Sequence, residues 1–158
     1  MKLNQNIRNL LLVLFAGLAL SACSTAKKSG SMSGDVYTGK DTIKYLASGV
    51  ADRVFFATNR STLTTAARAT LRKQATYLRK NKKLNVTIEG HADERGTREY
   101  NLALGERRAN AAKDYLMTYG ISGKRISVIS YGKEKPVNTA SSALAWSQNR
   151  RSVTVKVN

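Results

Sequence analysis

The chain has 158 residues, which leave room for about one folded domain behind an N-terminal leader. Its 27 Lys and Arg residues outnumber 10 Asp and Glu residues, giving a formal net charge of +17. Such an excess favours an anionic partner such as nucleic acid, anionic lipid or cell-wall carboxylates, and a merely solubilising charge explains it equally well. The chain has one cysteine, so an intramolecular disulfide is excluded.

The first 22 residues have the pattern of a secretory signal peptide. Lys2 and Arg8 supply a basic start, and residues 10–20 form an apolar segment that is too short to span a bilayer comfortably. Two small residues then precede Cys23, which is open to three interpretations: a free thiol, an intermolecular bridge or a modified residue. Removing the leader removes two cations and no acid, so 25 basic and 10 acidic residues leave +15. Export argues against nucleic acid as the physiological partner.

Residues 23–40 predict a processed N-terminus followed by a flexible tether. After the cysteine, seventeen residues rich in Ser, Gly, Thr and Lys offer little to bury. They would extend to roughly 55–60 Å at most and span about 20–25 Å as a coil. Residues 41–158 are then predicted to form a single domain.

Seven segments of that domain have the apolar periodicity of strands or helices. In chain order they predict a strand at 53–56, a helix across 63–78, a strand at 84–89, a helix across 102–119, a strand at 126–131, a short helix at 144–148 and a strand at 153–157. Thr64 suits the N-cap of the first helix, and Gly120 ends the second. The order β-α-β-α-β-(α)-β predicts an α+β fold with a mixed sheet covered by helices on one face.

An acidic and a basic side chain lie fifteen residues apart where the second strand turns into the second helix. Asp93 lies on the turn, and Arg108 shares one face of the helix with Asn101 and Leu104. A carboxylate and a planar guanidinium suit a small zwitterion, with Asp93 on its ammonium and Arg108 on its carboxylate. Spacing leaves one alternative open, in which Asp93 caps the helix and Arg108 pairs with a surface acid.

The motifs around these residues strongly resemble the OmpA-like peptidoglycan-binding domain. The matching stretches, in the order of the family, are VFFATNRSTLT, GHADERGTREYNLALGERRANAAKDYL, GISGKRISVISYGKEKPV and SQNRRSVTV. Leu20-Ser21-Ala22-Cys23 likewise resembles the lipobox of bacterial lipoproteins, which implies lipidation of Cys23. Ser24, the residue after this cysteine, resembles the residue that sorts lipoproteins to the outer membrane. The lipobox and short tether together most resemble the peptidoglycan-associated lipoproteins of the Tol–Pal system.

This resemblance implies a binding protein that is not an enzyme and that needs no cofactor. It implies non-covalent binding of the diaminopimelate-bearing stem peptide of peptidoglycan, with Asp93 on the side-chain ammonium and Arg108 on the carboxylate. Asn101 and Leu104 match the helix motif of the family. The implied partners are peptidoglycan, the outer membrane through lipids on Cys23, and Tol-system proteins, in support of envelope integrity and cell division.

The first loop of the domain departs from the family pattern. Thr58 and Asn59 match positions that contact the ligand, but Ala57 stands where relatives often carry Asp. Ligand contacts from this loop are therefore less firmly implied than those of the acid and the arginine.

Two other interpretations were weighed. A peptidoglycan hydrolase would use Asp93 or Glu94 as acid or base, but no matching second carboxylate, zinc ligand set or activated nucleophile accompanies them. His91 is the sole histidine and has no neighbours at metal-ligand spacing, so neither a metal site nor catalysis is predicted for it. A different OmpA-like wall-binding protein is the second alternative. Trp146 is predicted to serve packing, and Asn149-Arg150-Arg151 a structural link.

Overall fold

The structure is a computed structural model that describes residues 36, 37 and 44–157. The predicted signal peptide, Cys23 and most of the predicted tether lie outside these residues. The elements are β1 Tyr45–Ala47, β2 Val50–Ala51, β3 Arg53–Phe55, α1 Thr65–Lys80, β4 Asn85–His91, α2 Arg98–Thr118, a 3-10 turn Gly123–Arg125, β5 Ile126–Gly132, α3 Ala143–Asn149 and β6 Arg151–Val157. All seven predicted helices and strands are therefore confirmed.

The sheet is mixed and has the strand order β3-β6-β4-β5. Strand β6 lies antiparallel between β3 and β4, and β4 runs parallel to β5. The parallel pair is connected through α2, which is the crossover helix that such a pair requires. The predicted α+β class with a mixed sheet is confirmed.

Helices α1 and α2 build the core by packing apolar stripes on one face of this sheet. The buried positions of α1 recur at three- and four-residue steps, as an amphipathic helix requires. The core consists of Val54, Phe56, Ala67, Leu71, Ala75, Leu78, Val86, Ile88, Ala109, Ala112, Leu116, Ile121 and Ile126. Thr64 caps α1 as predicted, since its Oγ1 accepts a hydrogen bond from the Ala67 amide at 3.1 Å.

A pair of glycines brings α2 unusually close to β4. A Cβ atom on Gly90 would overlap the backbone of Gly105, and a Cβ on Gly105 would come within 2.9 Å of the Gly90 carbonyl oxygen. Only the absence of both side chains permits this approach. It places the next turn of α2, which carries Arg108, directly beside the end of β4.

The small hairpin β1–β2 was not predicted from the sequence. Its strands have three and two residues, which is too short for a recognisable alternation. Tyr37, inside the predicted tether, is also buried and packs edge-on against Phe55 with ring centroids 5.0 Å apart. The boundary between tether and domain stays a prediction. Among the helices at 44–157, none has the length and apolarity needed to cross a bilayer.

Candidate functional site

Arg108 lies in the interior of the domain, where its guanidinium donates to three backbone carbonyls on two segments. Its exposed fraction is 0%, although arginine is rarely fully buried. Nε donates to the Arg60 carbonyl at 2.9 Å, Nη1 to the His91 carbonyl at 2.8 Å, and Nη2 to the Ala57 carbonyl at 3.0 Å. The side chain therefore holds the first loop and the end of β4 together.

This position contradicts the alternative in which Arg108 forms a surface ion pair. Burial is the main cause that lowers the pKa of Arg108 to about 10, and the charge of Arg150 lowers it further, while Asp93 opposes the shift. The guanidinium stays protonated at neutral pH even so. The structure therefore places a buried cation next to the turn that carries Asp93.

Asp93 lies two residues beyond β4 and is held by two arginines. Arg95 forms a two-point contact, with Nε 3.0 Å from Oδ1 and Nη2 2.7 Å from Oδ2. Arg150, which is 2% exposed, places Nη1 3.4 Å from Oδ2 from the interior side. Burial alone would raise the pKa of Asp93, but the hydrogen bonds and charge of Arg95, with Arg150, lower it below its usual range. The carboxylate is thus ionised at neutral pH.

Asp93 does not cap α2, so the other half of that alternative is also wrong. The N-cap is Thr97, whose Oγ1 accepts from the Tyr100 amide at 3.2 Å. Asp93 instead accepts from the Arg95 amide at 3.1 Å, which closes the turn on itself.

The Arg95 side chain covers the exposed side of Asp93. It keeps 42% of its surface exposed, and its Cζ atom lies 4.3 Å from the ring centroid of Trp146. Its Nη2 is also 3.4 Å from the Thr58 hydroxyl. Trp146 in turn donates to Glu94 at 2.8 Å. The turn, the first loop and α3 are therefore connected through one surface guanidinium.

The remaining predicted residues support this turn in different ways. Asn101 is buried, and its Nδ2 donates to the Arg95 carbonyl at 2.8 Å, which fixes the backbone of the turn. Leu104 is buried in the packing of α2. Asn59 has a φ of 53° and is the single non-glycine residue with a positive φ among those described.

The substitution at Ala57 leaves one contact of the first loop intact. The Ala57 carbonyl, not its side chain, accepts the bond from Arg108. This contact therefore does not require an acidic side chain at position 57.

Two residues of the site were missed by sequence reasoning as partners of Asp93. Arg95 lies within the quoted motif, but its spacing gave no reason to expect that it folds back by two residues. Arg150 comes from 57 residues away and was interpreted only as a structural link. The one signal that was available is the run Asp93-Glu94-Arg95, in which an arginine follows two acidic residues.

His91 is buried beneath the same turn but makes no side-chain hydrogen bond. Neither ring nitrogen has a hydrogen-bond partner among the described residues, Nε2 lies 3.6 Å from a carboxylate oxygen of Glu89, and the exposed fraction is 2%. Burial, followed by the charges of Arg151, Arg53 and Lys135, lowers the pKa of His91 to about 3. No group of three or more His, Cys, Asp or Glu residues suited to a metal ion occurs in the described part of the chain.

Comparison with known proteins identifies the family. A peptidoglycan-associated lipoprotein of Rhizobium meliloti is 58% identical over 106 residues, which are 67% of this chain and 60% of that protein. One of Brucella melitensis is 44% identical over 149 residues, covering 91% of this chain and 89% of that protein. The crystal structure of the peptidoglycan-associated lipoprotein from Burkholderia pseudomallei matches with a TM-score of 0.66 at 37% identity, over 67% of this chain and 90% of that one. The OmpA family pattern matches residues 55–150, and the chain belongs to the OmpA family.

Proposed function

We propose that the domain binds peptidoglycan non-covalently through the diaminopimelate residue of its stem peptide. The observation that carries this proposal is the Asp93 carboxylate, which is held ionised in the turn after β4, beside the buried Arg108. The names of the Rhizobium and Brucella relatives, peptidoglycan-associated lipoprotein, support peptidoglycan as the partner. A carboxylate and a guanidinium together suit a zwitterion.

Ligand binding requires an exchange of partners at Asp93. Arg95 already occupies both carboxylate oxygens, so the ligand ammonium takes over these bonds as Arg95 moves aside. At Arg108, three of the five guanidinium N–H groups serve carbonyl oxygens, and the proposal assigns the other two to the ligand carboxylate. Because Arg108 is fully buried, the side chains over the turn must open before the carboxylate can reach it.

The same proposal includes an anchor on the outer membrane. Lipids on Cys23 would hold the chain there, with the domain facing the periplasm and bound to the cell wall. Many copies on one membrane would bind firmly through multivalency even if each site binds modestly. As part of the Tol–Pal system the chain would tie the two layers together and support envelope integrity and cell division.

Sedimentation with purified sacculi tests the site. Asp93→Asn keeps the shape of the side chain but removes its charge, so we expect it to abolish sedimentation. Asp114→Asn, an exposed position on α2, is the matched control and should sediment like wild type. Free diaminopimelate should release the wild-type protein. Sedimentation of Asp93→Asn at the wild-type level would disprove the assignment of the ammonium site.

A second pair of variants tests the exchange at Asp93. Arg95→Ala removes the competing guanidinium and should tighten sacculus binding about two- to fivefold, the range expected from a partly exposed ion pair. Arg98→Ala removes another exposed arginine, which pairs with Glu134 and not with Asp93, and should change nothing. Weaker binding of Arg95→Ala would mean that Arg95 contacts the ligand directly. Release of muropeptides by the wild-type protein would favour a hydrolase instead.

A further inference from the structure

A second surface of the domain has a charge that peptidoglycan binding does not use. Seven exposed cations lie on α1 and the turn that follows it, and we call them the basic face: Arg68, Arg72, Lys73, Arg79, Lys80, Lys82 and Lys83. Residues 53–88 include nine Lys and Arg residues but no Asp or Glu. None of the seven forms an ion pair with a carboxylate of the described chain. Within the described residues no carboxylate offsets their mutual repulsion, which salt or an anionic partner would relieve.

An apolar trough runs through the basic face. A depression of about 510 Å³ is lined by Val50, Ala69, Arg72, Lys73, Thr76, Tyr77 and Lys80. Its floor is aliphatic and aromatic, while its rim has three cations. Strand β2 forms one wall and is held against α1 by Gln74, whose Nε2 donates to the Ala51 carbonyl at 2.7 Å. A second depression of about 500 Å³ begins at Lys80 and continues to Leu84.

The C-terminal part of the basic face, around Lys82 and Lys83, lies at the opposite end of the sheet from the turn of Asp93. Lys82 and Lys83 come just before the first residue of β4, and Asp93 follows its last residue. A strand of seven residues separates the two ends by about 20 Å. A partner at this end of the basic face therefore does not compete with a ligand at Asp93.

We propose that the basic face docks on the surface of an anionic lipid membrane. Unpaired cations around an apolar trough match phosphate headgroups above acyl chains, and an amphipathic tyrosine such as Tyr77 suits that boundary. An acidic protein would satisfy the cations but would leave the apolar floor without a defined partner. The inference rests on the proposed lipid anchor, which would keep the domain close to such a surface.

The test uses the full lipidated chain reconstituted in vesicles. Because lipidation consumes the one cysteine, Thr76→Cys introduces a single free thiol in the trough, to which an environment-sensitive fluorophore is attached. We expect a blue shift on vesicles of phosphatidylcholine with 30% phosphatidylglycerol and none on phosphatidylcholine alone. The same fluorophore at Thr139→Cys, an exposed position between β5 and α3, should show no blue shift on either kind of vesicle.

Charge-reversal variants separate a specific face from overall charge. Lys73→Glu with Lys80→Glu should lower the ratio of docked to undocked domain at least about 30-fold. Arg107→Glu with Lys113→Glu, on α2, changes the net charge equally and should leave docking in place. Equal losses in both double variants, or no blue shift on the anionic vesicles, would overturn the inference.

Two further measurements complete the test. Polyglutamate added to neutral vesicles should produce no blue shift at position 76. A shift equal to that on anionic vesicles would overturn the assignment of anionic lipid as the partner, and would favour an acidic protein. Sedimentation of Lys73→Glu with Lys80→Glu on sacculi should match wild type. Failure of docking with intact sacculus binding would refute this inference while leaving the proposed function untouched.

Discussion

Lowering the pH from 7 to 5 is expected to destabilise the folded chain through His91, its one histidine. Burial and the nearby charges of Arg151, Arg53 and Lys135 lower the folded pKa from 6.5 to about 3. The unfolded chain therefore binds more protons than the folded chain below pH 6.5. The stability that His91 contributes is fully present above pH 6.5 and is lost as the pH falls towards 3.

The size of the effect follows from the two pKa values. At pH 5 the unfolded ring is largely protonated and the folded ring is not, so the free energy of unfolding falls by about 2 kcal/mol relative to pH 7. For a domain of this size that is roughly 8 °C in Tm. Carboxyl groups with ordinary pKa values near 4 remain mostly ionised across this window, so they add little.

Urea unfolding at pH 7 and pH 5 measures this difference, and NMR of the ring Cε1–H gives the folded pKa directly. His91→Phe is the control, because a phenyl ring keeps the packing against Tyr131, whose centroid is 5.6 Å from that of His91. Its stability should not change between pH 7 and pH 5. An NMR midpoint near 6.5, or a wild-type stability as flat as that of the variant, would refute the reasoning.

Two substitutions that disturb contacts with backbone atoms near the site are expected to lower the free energy of unfolding, and urea unfolding measures both. Gly90→Ala should lower the free energy of unfolding by about 3 kcal/mol or more, because the added Cβ overlaps the Gly105 backbone. Gly123→Ala is the control: its Cβ meets only the flexible Met117 side chain, so it should lower the free energy of unfolding by less than about 1 kcal/mol. Arg108→Lys keeps the charge but cannot reach three carbonyls, so we expect it to lower the free energy of unfolding by about 2–4 kcal/mol. The same change at an exposed neighbouring arginine should lower it by less than about 0.5 kcal/mol. Equal losses within either pair would contradict the packing or hydrogen-bond argument.

The fold was predictable because its signals are local. Thr64 caps α1 and Gly120 ends α2 in a left-handed conformation with a φ of +80°, and both functions depend on neighbouring residues alone. The apolar stripes of the helices and the alternation of the strands likewise need no tertiary information. The hairpin β1–β2 was missed because two or three residues are too few to show a period.

The contacts of the site were not predictable for the opposite reason. Two of the three carbonyls that Arg108 binds belong to Arg60 and Ala57, 48 and 51 residues away, and backbone carbonyls leave no mark in a sequence. Arg150 reaches Asp93 across 57 residues only because β6 lies beside β4. The motif pointed to the turn of Asp93, but the burial of Arg108 and the cover by Arg95 emerged only from the packed structure.

The arginines around Asp93 also predict which ligands the turn accepts. A simple amine would exchange one cation for another at Asp93 and leave Arg95 without a carboxylate, so it would gain little. Diaminopimelate also brings a carboxylate, to which Arg108 can donate the two N–H groups that serve no carbonyl. We therefore expect free diaminopimelate to release the protein from sacculi at concentrations at least about tenfold lower than cadaverine, which has the same two amines but no carboxylate. Equal potency of the two competitors would show that the ammonium alone is recognised and that the arginines serve only the fold.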